Sequence, residues 1–139
     1  MAVVNKQRVA ARPASSLLGL SASHWTLLAL AGIVLLGLGL RLFRLVEVPY
    51  GFHPDEGHNA TDALAIIDGW RPAFLPRDNG REPLFSYLMA VTISLFGPTV
   101  WAARLVGALG GTLVIIAQFL FVRSLPLPRP RLAALLSAA

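Results

Sequence analysis

The sequence predicts an all-α integral membrane protein with one water-facing loop. The chain has 139 residues, of which 55% are hydrophobic and only 14% charged, whereas a soluble domain carries about 25% charged residues. All the acidic residues lie between Glu47 and Glu82, and both flanks combine basic residues with long apolar runs. Because membrane-spanning segments exclude charge, this distribution predicts spans on both sides of an acidic loop.

The charge balance points to a bilayer as the main partner. The formal net charge is +5, and the basic residues lie beside apolar runs, where they set membrane orientation. We therefore predict no nucleic-acid partner. The chain has no cysteine, which excludes disulfides and thiolate chemistry.

The first span is predicted at 22–45. Residues 1–21 are basic and lack acidic side chains, as expected of a cytoplasmic tail. A cleaved secretory signal is the alternative, but the apolar run from Trp25 is followed by Arg41 and Arg44 and not by a cleavage site. The run is long enough for the roughly 20 residues that a crossing needs.

The outer loop, 46–100, is predicted to hold two juxtamembrane helices, at about 55–68 and 83–96. The first is amphipathic, which suits a helix on the bilayer surface. Its predicted apolar face consists of Ala60, Ala63, Leu64 and Ile67, and its polar face of Asp55, Asn59 and Asp62. The second helix begins at Pro83 and is too short to cross the bilayer comfortably.

The second span is predicted at 101–122, and the arginine-containing linker 123–131 is placed in the cytoplasm by the positive-inside rule. Residues 132–139 resemble the start of a third span, so the chain is expected to be a fragment. Within the second span, small residues recur every four positions, a spacing that lets another helix approach closely. These are Ala103, Gly107 and Gly111.

Adjacent carboxylates at Asp55 and Glu56 are the first candidates for chemistry. Just outside a membrane, they suit a general base and its orienting group. The alternative is structural, since acidic residues after Pro54 would complement the dipole of the helix that they begin. Asp62 and Asp68 are interpreted as solvated charges.

A divalent metal on His53, Asp55 and His58 is a weaker alternative. The spacing matches neither the HExxH nor the HxxEH zinc motif, and surface histidines more often bind nothing. No cofactor is therefore predicted firmly.

Arg81 is the candidate for phosphate binding, because a guanidinium at headgroup level offers paired donors. Its alternative role is an interfacial anchor paired with Glu82. Arg104, within the second span, is expected to reach the membrane interface or to hydrogen-bond another helix.

The order of these features resembles the N-terminal part of bacterial family 39 glycosyltransferases, which are related to protein O-mannosyltransferases and lipid A aminoarabinose transferases. The resemblance covers about 41–139. Its motifs are Arg41-Leu-Phe-Arg44-Leu45, His53-Pro-Asp-Glu-Gly57, Gly80-Arg-Glu-Pro-Leu-Phe85 with Tyr87, and Ala103-Arg104-Leu105.

The resemblance implies a GT-C architecture in the cell membrane, with the N-terminus cytoplasmic and the acidic loop outside. It implies inverting hexosyl or pentosyl transfer from a polyprenyl-phosphate-linked sugar to a hydroxyl acceptor of unknown identity. Asp55 corresponds to the catalytic aspartate, Glu56 to its neighbour, and Arg81 is the phosphate-binding candidate. Candidates for supporting roles are His53, His58, Asn59, Glu82 and Tyr87.

The chain departs from the aminoarabinose transferases at Glu82, where those enzymes have lysine. This fragment alone is expected to be inactive, because two and a half spans cannot enclose both substrates. The alternative function is that of a small non-catalytic membrane protein, which packs against a partner through Gly107 and Gly111.

Overall fold

The computed structural model describes residues 21–77 and 80–139, and over these ranges the chain is mostly helical and contains no β-strand. The tail predicted for 1–21 lies almost wholly outside the described residues. The five helices are α1 Ala22–Leu42, α2 Pro54–Ile67, α3 Leu84–Phe96, α4 Val100–Ser124 and α5 Pro130–Ala138.

Two helices, α1 and α4, are long and apolar enough to cross a membrane. At ~1.5 Å per residue they measure about 32 and 38 Å, against a bilayer core of about 30 Å. None of the α1 side chains is buried within the protein. The prediction of a helical chain with two candidate spans is therefore confirmed, although α1 ends before position 45 because the backbone becomes extended at Phe43.

The two candidate spans pack antiparallel. Gly37 lies against Ile115, and Arg41 lies against Gly111, so positions that advance along α1 meet positions that recede along α4. The end of α1 and the start of α4 consequently lie at the same end of the molecule. The chain between them, with α2 and α3, occupies that end.

The small-residue face of α4 is divided between different neighbours. Ala103 is buried in the core formed with α2 and α3. Gly111 receives the Arg41 side chain, and a methyl group at Gly107 would meet no atom within 4 Å. Of the two glycines predicted to admit a partner helix, only Gly107 is therefore open.

Helices α2 and α3 form the main hydrophobic core with the start of α4. The core contains Ala63 and Ile66 from α2 together with α3 residues that include Met89. Leu64 and Ile67 are instead 43% and 42% exposed, so the apolar face predicted for α2 is divided between this core and the protein surface. The face of α2 that packs against α3 carries Ala63 and Ile66, and Asp62 is buried beside them.

The last helix, α5, begins at Pro130 and packs mainly on α4, with further contacts to α1. Phe119 of α4 is almost fully buried against Ala134 and Ala138, with Leu30 of α1 alongside. The segment predicted as the start of a third span is thus helical and belongs to a second, smaller core.

Candidate functional site

The start of α2 places the Asp55–Glu56 pair. Pro54 occupies the first turn of the helix, where its missing N–H costs nothing. The His53 Nδ1 accepts a hydrogen bond from the Asp55 backbone N–H at 3.3 Å, and Glu56 Oε2 accepts one from the His53 N–H at 3.1 Å. These reciprocal bonds form a capping box that fixes where the helix begins.

Glu56 forms a partly buried ion pair with Arg104. The guanidinium donates from Nε to Oε1 at 3.0 Å and from Nη2 to Oε2 at 2.9 Å, and the Arg104 side chain is only 5% exposed. Paired donors of this kind bind a carboxylate strongly. The Arg104 hydrogen bonds hold the pKa of Glu56 below its usual value, so Glu56 remains charged and poorly suited to accepting a proton.

Arg104 also binds the chain that enters α2. Its Nη1 donates to the carbonyls of Leu45, Val46 and Pro49 at 3.0–3.1 Å, and its Nη2 donates to the carbonyl of Gly51. The expectation that Arg104 hydrogen-bonds another helix is confirmed, because its partner Glu56 lies on α2. Arg104 lies on the second turn of α4, facing the loop and α2, and binds both.

Asp55 is the carboxylate that stays accessible. Its side chain is 77% exposed, and its Oδ2 lies 3.5 Å from His53 Nδ1. The neighbouring carboxylates thus have different surroundings: Glu56 is held by a buried arginine, whereas Asp55 faces solvent beside a histidine. Of these two carboxylates, Asp55 is the one with the accessible oxygen atoms that a proton acceptor needs.

A groove of about 360 Å³ opens between the end of α1 and the N-terminal parts of α2, α3 and α4. We call it the polar groove, because acidic, basic and amide side chains meet on its wall. These are Arg41, Asp55, Glu56, Asn59 and Arg104. A ligand with both a hydroxyl and an anionic group fits this combination.

Arg81 contacts α2 from the side and does not line the polar groove. It donates to Asn59 Oδ1 at 2.6 Å and to Asp62 Oδ2 at 3.0 Å. Asp62 is 3% exposed, so its interpretation as a solvated charge is wrong. Arg81 thus pairs with Asp62, while Glu82 is exposed. Phosphate binding by Arg81 stays a prediction, although α2 already engages two of its donor nitrogens.

The remaining sequence candidates are placed around this site. Tyr87 donates to the Pro72 carbonyl at 3.2 Å and so ties α3 to the loop before it. His58 is half-buried on α2. Among the described residues, no three His, Cys, Asp or Glu side chains form a group that could hold a metal ion, so His53, Asp55 and His58 are not gathered into a metal site.

The chain matches no family model, no curated protein and no solved structure. The resemblance to family 39 glycosyltransferases therefore rests on the order of its motifs. The structure joins two of these motifs, since Glu56 of the second contacts Arg104 of the last, 48 positions away.

Proposed function

We propose that this chain forms part of a membrane glycosyltransferase that uses a polyprenyl-phosphate-linked sugar and in which Asp55 is the general base. The observation that carries the proposal is the difference in environment between Asp55 and Glu56. Asp55 is exposed in the polar groove, and its neighbour Glu56 is fixed by buried Arg104. A rigid helix start that presents one accessible carboxylate is the arrangement that base catalysis requires.

The position of the groove favours a lipid-anchored donor. It lies where the end of α1 meets the start of α4, the two helices that are long enough to cross a bilayer. A donor held in the membrane would enter the groove from the bilayer, and an acceptor hydroxyl would enter it from water. The arginines beyond the opposite end of α4 favour a cytoplasmic location for that end and an outer location for the groove.

In the proposed reaction the acceptor oxygen attacks the anomeric carbon from the face opposite the phosphate. The new carbon–oxygen bond forms as the bond to the phosphate oxygen breaks, and the acceptor proton passes to Asp55. The polyprenyl phosphate leaves with the electron pair, and nearby cations stabilise its charge. One displacement inverts the anomeric configuration, and Asp55 then releases its proton to water.

The donor class can be tested directly. The full-length gene product that contains this chain, reconstituted in liposomes, is expected to release polyprenyl phosphate from a polyprenyl-phosphate hexose or pentose in the presence of a hydroxyl acceptor. Matched nucleotide sugars are expected to remain intact, and protein-free liposomes provide the background. Consumption of the nucleotide sugars, or of neither donor across the sugars tested, would contradict the proposal.

A further inference from the structure

A second groove, of about 520 Å³, runs between α3 and α4. We call it the apolar groove, because its walls are almost entirely hydrocarbon. They include Phe85, Leu88 and Val91 from α3 and Val106 and Leu113 from α4. Its polar lining side chain is that of Thr92, whose hydroxyl donates to the Met89 carbonyl at 2.9 Å. Such a groove suits a hydrocarbon chain and offers little to a polar ligand.

The apolar groove adjoins the polar groove. Phe85 and Gly107 line both, and a methyl group at Gly107 would meet no atom within 4 Å. An elongated molecule with a polar end and an apolar tail would reach from one groove to the other across Gly107.

Arg41 lies at this junction. Its side chain rests on Gly111, which lines the apolar groove, and a methyl group at Gly111 would lie 2.8 Å from Arg41 Nε. A methyl group at Gly37 would lie 3.1 Å from Nη1. Glycine at both positions therefore leaves room for the guanidinium.

The charge of Arg41 is not matched by the protein. Its Nη1 donates to the Gly37 carbonyl at 3.0 Å, but no carboxylate of the described residues forms an ion pair with it. By contrast, Arg104 is paired with Glu56 and Arg81 with Asp62. Among the cations that line the polar groove, Arg41 is consequently the one available to an anionic ligand.

We propose that Arg41 binds the phosphate of an isoprenoid phosphate and that the isoprenoid chain lies in the apolar groove across Gly107. This inference rests on the proposed function and specifies where its donor binds. The planar guanidinium suits a phosphate, because it donates two parallel hydrogen bonds. The groove between two helices holds one chain, which favours an isoprenoid phosphate over a two-chain phospholipid. Arg41, and not Arg81, then stabilises the departing phosphate.

The test measures binding without any transfer reaction. Full-length protein in detergent micelles is titrated with farnesyl phosphate, and with farnesol as a probe for the chain alone. Arg41→Gln is compared with Arg131→Gln, a charge-matched change on α5. Gly107→Leu is compared with Gly32→Leu, since neither glycine has an atom within 4 Å of an added methyl group. Gly110→Leu, equally open and also on the groove wall, provides a second obstruction.

Arg41→Gln is expected to weaken farnesyl phosphate binding at least tenfold, the order of one charge-assisted hydrogen bond, and to leave farnesol binding within about twofold. Gly107→Leu and Gly110→Leu are expected to weaken both ligands. Binding by Arg41→Gln equal to that of Arg131→Gln would overturn the inference, as would leucine variants that match Gly32→Leu. Equal competition by a two-chain phosphatidic acid would also overturn it, by assigning the groove to bilayer lipid.

The binding test and the transfer test can fail separately. If Asp55 is not catalytic, farnesyl phosphate binding still depends on Arg41 and Gly107 in the titration. If the donor binds elsewhere, sugar transfer still depends on Asp55, while Arg41→Gln and Gly107→Leu bind farnesyl phosphate as strongly as their control variants.

Discussion

Arg104→Leu is expected to lower the free energy of unfolding by about 3 kcal/mol, the lower end of the cost of breaking a buried ion pair by removing one partner, because the Glu56 side chain is 28% exposed. The substitution leaves the Glu56 carboxylate without its two guanidinium hydrogen bonds. It also frees the carbonyls between Leu45 and Gly51 that Arg104 binds. The loop, the start of α2 and α4 lose their common anchor.

The measurement is a denaturation titration with sodium dodecyl sulfate in mixed micelles, followed by helical circular dichroism. Arg123→Leu is the matched control, because Arg123 is exposed near the other end of α4 and lies 6.0 Å from the Phe119 ring, a contact worth about 0.5–1 kcal/mol. A loss for Arg104→Leu no larger than that of Arg123→Leu would contradict the anchoring role.

The same pair makes stability depend on acid. The folded-state pKa of Glu56 lies below its unfolded value, so its contribution is complete above the ordinary glutamate pKa of about 4.3 and is lost as the pH falls through the lowered value. In the same titration repeated between neutral and acidic pH, Arg104→Leu is expected to lose this component of the acid destabilisation.

Asp55→Asn is expected to reduce transfer by about 10²–10⁴-fold, the usual contribution of a positioned general base. The amide has the same shape but cannot accept the proton of the acceptor hydroxyl. The Asp55 side chain is exposed and has no buried partner, so the variant is expected to insert and unfold as the parent protein does.

Asp68→Asn is the control, because Asp68 is an exposed carboxylate at the other end of α2. Both variants are assayed in the full-length protein for transfer from the lipid-phosphate donor and for membrane insertion. Transfer by Asp55→Asn within a few-fold of Asp68→Asn would exclude Asp55 as the base.

The helices could be predicted from the sequence because each has local signals. Apolar runs of sufficient length indicate α1 and α4, and Pro54 and Pro83 mark where α2 and α3 begin. Gly69 and Gly97, which have positive φ angles, follow the ends of α2 and α3. These signals depend on residues within a few positions of one another, so one sequence is enough to find them.

The ion pairs could not be predicted in the same way. Glu56 and Arg104 lie on different helices, and Asp62 on α2 is bound by Arg81 from the loop before α3. Helical periodicity assigns each residue to a face of its own helix, but it does not show which faces of two helices pack together. One signal was present: an arginine within an apolar helix is costly unless it has partners, so Arg104 implied a buried acceptor without identifying Glu56.

The stereochemistry of transfer tests the central claim most directly. The full-length protein is supplied with a polyprenyl-phosphate sugar of one defined anomeric configuration, and the product is examined by proton NMR at the anomeric position. Direct displacement with Asp55 as base predicts complete inversion. A product with retained configuration would contradict it, because a single displacement from the face opposite the phosphate always inverts the anomeric configuration.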